Sequence, residues 1–349
     1  MFTAFLSLGL TLLFAELAAA NFKRLAPVLE AWDQTKRDPA AIPLIEGVKI
    51  DPTKLLWVGG WEKLAALVWA FGTAIPLLAF AAAAHLFLEE PARSANLILG
   101  AAVGSNMIAL SLAFGLILLS GPITFFRVRT MTSPVFLLLA TVAFAFVCLN
   151  KRITLWEGGI LLSLIVAYGF YFRRFSGEWK YYERAHAEHS LVESSEGILP
   201  VIAVFCMGAG FFLLSILVAY PLVQELSRSA DASGRDPFRI GAHLVALALS
   251  LPWLLRSVWA LQQSASAKAL TLTSISHACL LNVLLLPGVA AFLGVNQLSS
   301  SLVAWYLPAL FLYTGVFVSA LLVEKETGGL LTWILILSYL VYTGFGLIL

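Results

Sequence analysis

The chain has 349 residues, of which 60% are hydrophobic and only 12% charged. Soluble domains carry roughly a quarter charged residues, so this composition excludes a soluble protein and implies one that lives in a bilayer. The formal net charge of +2 is too small to suggest a nucleic-acid partner.

Apolar runs of about 20 residues can cross the bilayer core. Ten are expected here, at about 2–22, 62–86, 95–121, 131–149, 154–173, 199–224, 238–261, 269–295, 302–323 and 329–348. The first carries Ala18-Ala19-Ala20, which looks like a leader cleavage site. No basic residue precedes it and Glu16 interrupts it, so a retained helix is expected. Residues 23–61 follow as a long polar loop with four prolines, able to lie partly on the membrane surface.

The second run holds Pro76 within GTAIPLL, and the third holds Val103-Gly104-Ser105-Asn106 at its centre. Both features are costly in lipid, where every freed backbone group needs a partner, and broken or polar mid-membrane segments line pathways in transporters. A kinked pair of helices packed through small residues is the plainer alternative. The stretch 174–198 is the other large hydrophilic segment and divides the ten runs into two fives. Its His186, Glu188 and His189 could meet on one helical turn, but in a charged loop they read as solvated, and no metal ion is expected. Cys148, Cys206 and Cys279 fall inside apolar runs without metal-site spacing and read as small buried hydrophobes.

The second half repeats the first. Pro252 in ALSLPWL answers Pro76, SHACLLNV (Ser276–Val283) answers VGSNMIAL, and Pro287 answers Pro122. Each half closes on a similar pattern, with Glu157, Gly158 and Tyr168 answered by Glu326, Gly329 and Tyr339. Five crossings per half is an odd number, so the second half is expected to be inserted upside down. Inverted repeats place a binding site at their interface near the midplane. The expected fold class is therefore all-α, a polytopic membrane protein of ten transmembrane helices in two inverted five-helix repeats, 1–173 and 199–349, joined by a cytoplasmic 174–198.

Basic residues orient it. With the N-terminus outside, the inner loops 23–61, 122–130, 174–198, 262–268 and 324–328 hold most of the Lys and Arg. The outer loops hold Arg93, Lys151, Arg152, Arg228, Arg235 and Arg239. This excess supports both termini outside, and the expected location is a bacterial inner membrane.

These motifs resemble those of the calcium/cation antiporter superfamily, of sodium/calcium exchanger type. The resemblance covers nearly the whole chain and is specific at GTAIPLL plus VGSN in the first half. It implies ten helices in two inverted repeats, and cations held by a glutamate after the proline of each repeat. Thr/Ser oxygens, the serine of G-S-N and an Asn or Asp four residues beyond complete that site. Here Thr73, Ser105 and Ser250 match the hydroxyl positions and Asn282 keeps an amide. Both glutamates are missing, replaced by Leu77 and Trp253; Ala74, Ala109, Leu249 and Ala278 replace other oxygen ligands.

Calcium takes six to eight oxygens, several of them usually carboxylates, so the usual calcium chemistry is not expected. Arg256, one turn beyond Trp253, would repel a divalent cation and could pair with an anion. His277 stands where the first half has its G-S-N centre and is a candidate proton relay. His243 reads as a core histidine, His85 and Glu16 as interfacial or structural. Trp61, Trp156, Tyr306 and Tyr313 read as interfacial belt or packing.

The leading expectation is a secondary transporter with a degenerate cation site, moving an ion or a proton-coupled solute. Its substrate-binding candidates are Thr73, Ser105, Ser250, Asn282 and Arg256. Its partners are the lipid bilayer and that small ion or solute. The alternative is a non-transporting membrane protein that keeps the fold as a scaffold. No paired carboxylates or Ser/His arrangement point to an enzyme, and no cofactor is expected.

Overall fold

The computed structural model describes residues 2–37, 74–119, 133–175, 198–260, 265–292, 297–322 and 329–348. Seven helical segments among them are long and apolar enough to cross a membrane, and three shorter apolar helices, Ile75–Phe87, Ser133–Cys148 and Gly329–Gly344, accompany them. One helical segment falls in each of the ten apolar runs.

In chain order the helices are α1 (Phe2–Arg37), α2 (Ile75–Phe87), α3 (Pro91–Leu119), α4 (Ser133–Cys148), α5 (Leu155–Phe175), α6 (Ile198–Val218) and α7 (Tyr220–Ser233). Then follow α8 (237–260), α9 (Ala265–Phe292), α10 (302–322) and α11 (Gly329–Ile348). Three of them contain a wide π turn, at Ala109–Ala113 in α3, Gly241–Val245 in α8 and Leu302–Tyr306 in α10.

The structure differs from the sequence reading at three places. The first helix does not end at residue 22 but runs to Arg37, so part of 23–61 is helix and not loop. Leu, Ala, Glu, Lys and Arg dominate that stretch, and these are strong helix formers. The sixth run ends where Ala219 turns the chain into α7, with Pro221 in its first turn, and helix continues to Ser233. Pro252 does not break its helix. α8 passes through it to Ala260, so no half-helix N-terminus forms there. Pro287 likewise lies inside α9.

α3 and α9 form the centre of the packing. α3 lies against α8 and α9 and, at its far end, against α11 and α10; α9 lies against α3, α4 and α5. α4 packs on α10, while α1 pairs with α6 at the side of the bundle and touches α2 and α7. The contact of α3 with α8 is the tightest. A Cβ on Gly104 would sit 2.1 Å from the Ala242 carbonyl oxygen, and one on Gly241 would sit 2.3 Å from that of Leu97. In lipid, where apolar side chains gain little by leaving the tails, such close backbone approach is a main source of helix association. Lipid-facing surfaces remain apolar, as at Phe170, Leu139 and Leu312, all largely exposed.

One end of the bundle is tied by polar contacts. Asn96 Nδ2 donates to the Gln297 carbonyl (3.0 Å) and its Oδ1 accepts from Ser299 N (2.9 Å). Leu298 N donates to the Lys151 carbonyl (2.9 Å), and Arg93 Nη1 donates to Asp231 Oδ2 (3.0 Å). Asp236 accepts from Ser299 and Ser301 while capping α8 through Phe238 N. The connections α2–α3, α4–α5 and α7–α8 and the start of α10 therefore share one end, as alternating crossings require.

Gly104→Ala should cost about 1–3 kcal/mol, the penalty of overpacking against a backbone that cannot yield. Gly169→Ala, whose new Cβ meets nothing within 4 Å, should be neutral or slightly stabilising. Thermal unfolding of the two variants in detergent measures this, and equal small effects would remove the claim that this crossing sets the α3–α8 distance.

Candidate functional site

The central polar contact joins α3 to α9. Asn106 is fully buried, and its Nδ2 donates to the Cys279 carbonyl at 2.8 Å. Its Oδ1 accepts from Asn282 Nδ2 at 2.7 Å. Two amides and a carbonyl thus satisfy one another across the interface between the halves. Asn282 is the residue singled out by the sequence; its partner Asn106 stood in the G-S-N motif without an assigned role.

The other candidate residues divide. Ser105 and Ser250 are both buried, and neither hydroxyl has a hydrogen-bond partner among the described residues. Buried hydroxyls normally find a partner, and Ser94, Ser215 and Ser257 elsewhere in the bundle share this unpartnered state. Thr73 and the side chain of Arg256 lie outside the described residues; the Arg256 backbone belongs to α8. Leu77 and Trp253 are 5% and 9% exposed. Ala74, Ala109, Leu249 and Ala278 are buried too, so hydrocarbon occupies these six positions inside the bundle. Among the described residues no group of three or more His, Cys, Asp or Glu could hold a metal ion. His186, Glu188 and His189 lie outside them.

His277 is buried on α9, with Nδ1 2.6 Å from the Thr273 carbonyl and Nε2 2.7 Å from the Tyr168 hydroxyl of α5. A carbonyl only accepts, so Nδ1 carries the hydrogen. In the neutral ring Nε2 is then a lone pair that accepts from Tyr168. Phe172 and Phe136 pack on this couple. The sequence named His277 and Tyr168 separately; their pairing is new. His243 is buried as a core histidine, also against a phenol, Tyr306 at 2.8 Å. Tyr306 and Tyr313 are core residues and not a belt, with Tyr313 donating to Ser338 at 3.2 Å. Trp156, 86% exposed at the start of α5, does suit an interface. Trp61 lies outside the described residues, Glu16 is half-buried on α1, and His85 is exposed at the end of α2.

The described residues thus form a helical bundle with long apolar helices and with buried polar side chains where α3 meets α9. Residues 61–173 match the sodium/calcium exchanger protein family. The sodium-calcium exchanger NCX_Mj, in a structure soaked with Na⁺ and Sr²⁺, is 14% identical, with 98% of each chain covered and a TM-score of 0.59. The H⁺/Ca²⁺ exchanger CAX is 16% identical over 98% of this chain and 86% of its own, at a TM-score of 0.52. Native YfkE is 13% identical over 82% of this chain and 92% of its own, at 0.53. No curated protein sequence matches the chain. The chain thus resembles the calcium/cation antiporter superfamily, through the family match over 61–173 and in fold over nearly its whole length.

Hydrogen bonds between membrane helices contribute about 0.5–2 kcal/mol each. A double-mutant cycle of Asn106→Ala and Asn282→Ala, read by reversible unfolding, should give a coupling energy in that range. Additive single effects would show that the two amides do not support one another.

Proposed function

We propose that the chain is a secondary membrane transporter of exchanger type whose core holds no divalent cation, and that it uses the proton as its coupling ion. The observation that carries this reading is the Asn106–Asn282 bridge at the α3–α9 interface, with buried Leu77 and Trp253 at the positions of the family's two glutamates. An unpaired ion in a low-dielectric interior costs up to tens of kcal/mol in the ideal limit. Ser105, Ser250, Asn282 and, by resemblance, Thr73 offer only neutral oxygens against that cost. Arg256 adds a positive charge one turn past Trp253, which favours an anionic or carboxylated solute. His277, with its phenol partner, is the proton relay.

The topology proposed is ten crossings in two inverted five-helix repeats, 1–173 and 199–349, linked by 174–198. Reciprocal packing supports it. α3 meets α10 and α11 as α9 meets α4 and α5, and α1 pairs with α6, α3 with α9 and α4 with α10. Two contacts between halves, Asn106 with Cys279 and Thr141 with Thr314, join residues 173 apart, as a common pseudo-two-fold relation would produce. The basic-residue count assigns the end carrying Asn96 and Asp236 to the outside of a bacterial inner membrane, with both termini on that side.

The same bridge also favours a second reading, a protein that keeps the fold and does not transport. One experiment separates the possibilities. In proteoliposomes under a sodium or a pH gradient, the transporter reading expects no Ca²⁺ accumulation above empty vesicles. It expects proton movement that falls about a hundredfold or more in His277→Gln, the lower range of a general acid–base contribution. No proton movement leaves the scaffold reading. Ca²⁺ accumulation lost on Ser105→Ala or Asn282→Ala overturns both.

A further inference from the structure

A second buried imidazole lies apart from the α3–α9 interface. His243 belongs to the wide turn Gly241–Val245 of α8, and its Nε2 is 2.8 Å from the hydroxyl of Tyr306. Tyr306 closes the wide turn Leu302–Tyr306 of α10. Such turns insert one extra residue into a helix, and they recur at functional positions because they re-aim side chains. Here two of them bring an imidazole and a phenol together in the core. Tyr342 of α11 packs on both rings, its centroid 6.3 Å from that of His243 and 5.7 Å from that of Tyr306. The Tyr342 hydroxyl is buried and has no hydrogen-bond partner among the described residues.

A line of polar groups leads to this cluster from the tied end of the bundle. Asp236, Arg239 and His243 recur at spacings of three and four, which places them along one side of α8. Asp236 and Arg239 are partly exposed, His243 is buried. Asp236 accepts from Ser301, which immediately precedes the turn that ends in Tyr306.

The ionisable groups facing His243 are few. α8 supplies Asp236 and Arg239, the latter acting on His243 through its charge. α10 supplies Tyr306 and Tyr313, and α11 supplies Tyr339 and Tyr342. α3, packed against the wide turn, has no ionisable residue after Arg93. Farther along α8, Arg256 is thirteen residues away, about 20 Å of helix. A neutral imidazole offers Nε2 as acceptor to the Tyr306 hydroxyl. When a proton binds there, the new Nε2–H donates to the phenol oxygen, and the phenol hydrogen is freed for another acceptor. The unpartnered Tyr342 hydroxyl beside it is the candidate. One proton is taken up while a small shift of the Tyr342 ring brings its hydroxyl within reach of the freed phenol hydrogen, and Asp236, two turns back on the same side of α8, is the carboxylate that balances the charge.

We propose that His243, Tyr306 and Tyr342 form a proton-binding site in the second half of the chain, loaded from the Asp236 end. It deepens the transporter reading by adding a second proton-carrying couple to that of His277, and its existence does not require transport. The test is nitrogen-15 NMR of histidine-labelled full-length protein in lipid nanodiscs, titrated from about pH 8 down to about pH 3, a span that extends well below the range in which exposed imidazoles change charge. His243→Gln and His277→Gln assign the two signals. The His243 signal should move from neutral to charged imidazole. Tyr306→Phe, which removes only the hydroxyl, should shift its midpoint by about half a unit to one unit, the effect of one hydrogen bond, and leave the His277 midpoint in place. A His243 signal that stays neutral throughout, or a midpoint indifferent to Tyr306→Phe, overturns the proposal. A titrating, Tyr306-dependent His243 in a protein that moves no protons across vesicles upholds the site and removes only the transporter reading.

Discussion

No water reaches the interior of a bilayer, so every polar atom placed there must be satisfied by the protein or by what the protein binds. The Asn106–Asn282 bridge is where this constraint acts most strongly. Its amides face the one region where α3 and α9 meet, and they satisfy each other and the Cys279 carbonyl. In a site built for a cation, those atoms would be left for the ion. Here protein–protein hydrogen bonds engage them instead.

The rest of the structure positions that contact. Gly104 and Gly241 let α3 and α8 approach to backbone distance, which sets where the following turn, with Ser105 and Asn106, meets α9. The wide turns at Ala109–Ala113 and Gly241–Val245 follow directly from these crossings along each helix. The buried tyrosines of α5 and α10 then reach in to hold His277 and His243. Two imidazole–phenol couples therefore stand in the core, and Leu77 and Trp253 are buried in it as well.

Much of this was legible in the sequence. Composition and the apolar runs identify every helix but α7, because length and hydrophobicity are what the bilayer selects. The limits of the helices were harder to read. Residues 23–37 are polar, but they are helix formers with a long helix already nucleated ahead of them, so α1 continues. Pro252 suggests a break because it removes one backbone donor, yet a membrane helix tolerates that loss among close neighbours. The pairing of Asn106 with Asn282 joins residues 176 apart. Sequence spacing carries no trace of it beyond the requirement that a mid-membrane amide find some partner. The same holds for the phenol partners of the histidines, since a tyrosine in an apolar run reads equally as belt or core. Thr73 and the Arg256 side chain lie outside the described residues; the first is a candidate from the motif resemblance and the second from its charge at membrane depth.

The central claim is that the core is closed by its own amides and holds no divalent cation. The most direct measurement is an experimental structure of the protein equilibrated with millimolar Sr²⁺, recorded with anomalous scattering to locate the ion. The account predicts no strontium peak among Ser105, Ser250 and Asn282, with the Asn106–Asn282 hydrogen bond intact. A strontium peak there, with the two amides turned apart to coordinate it, would contradict it.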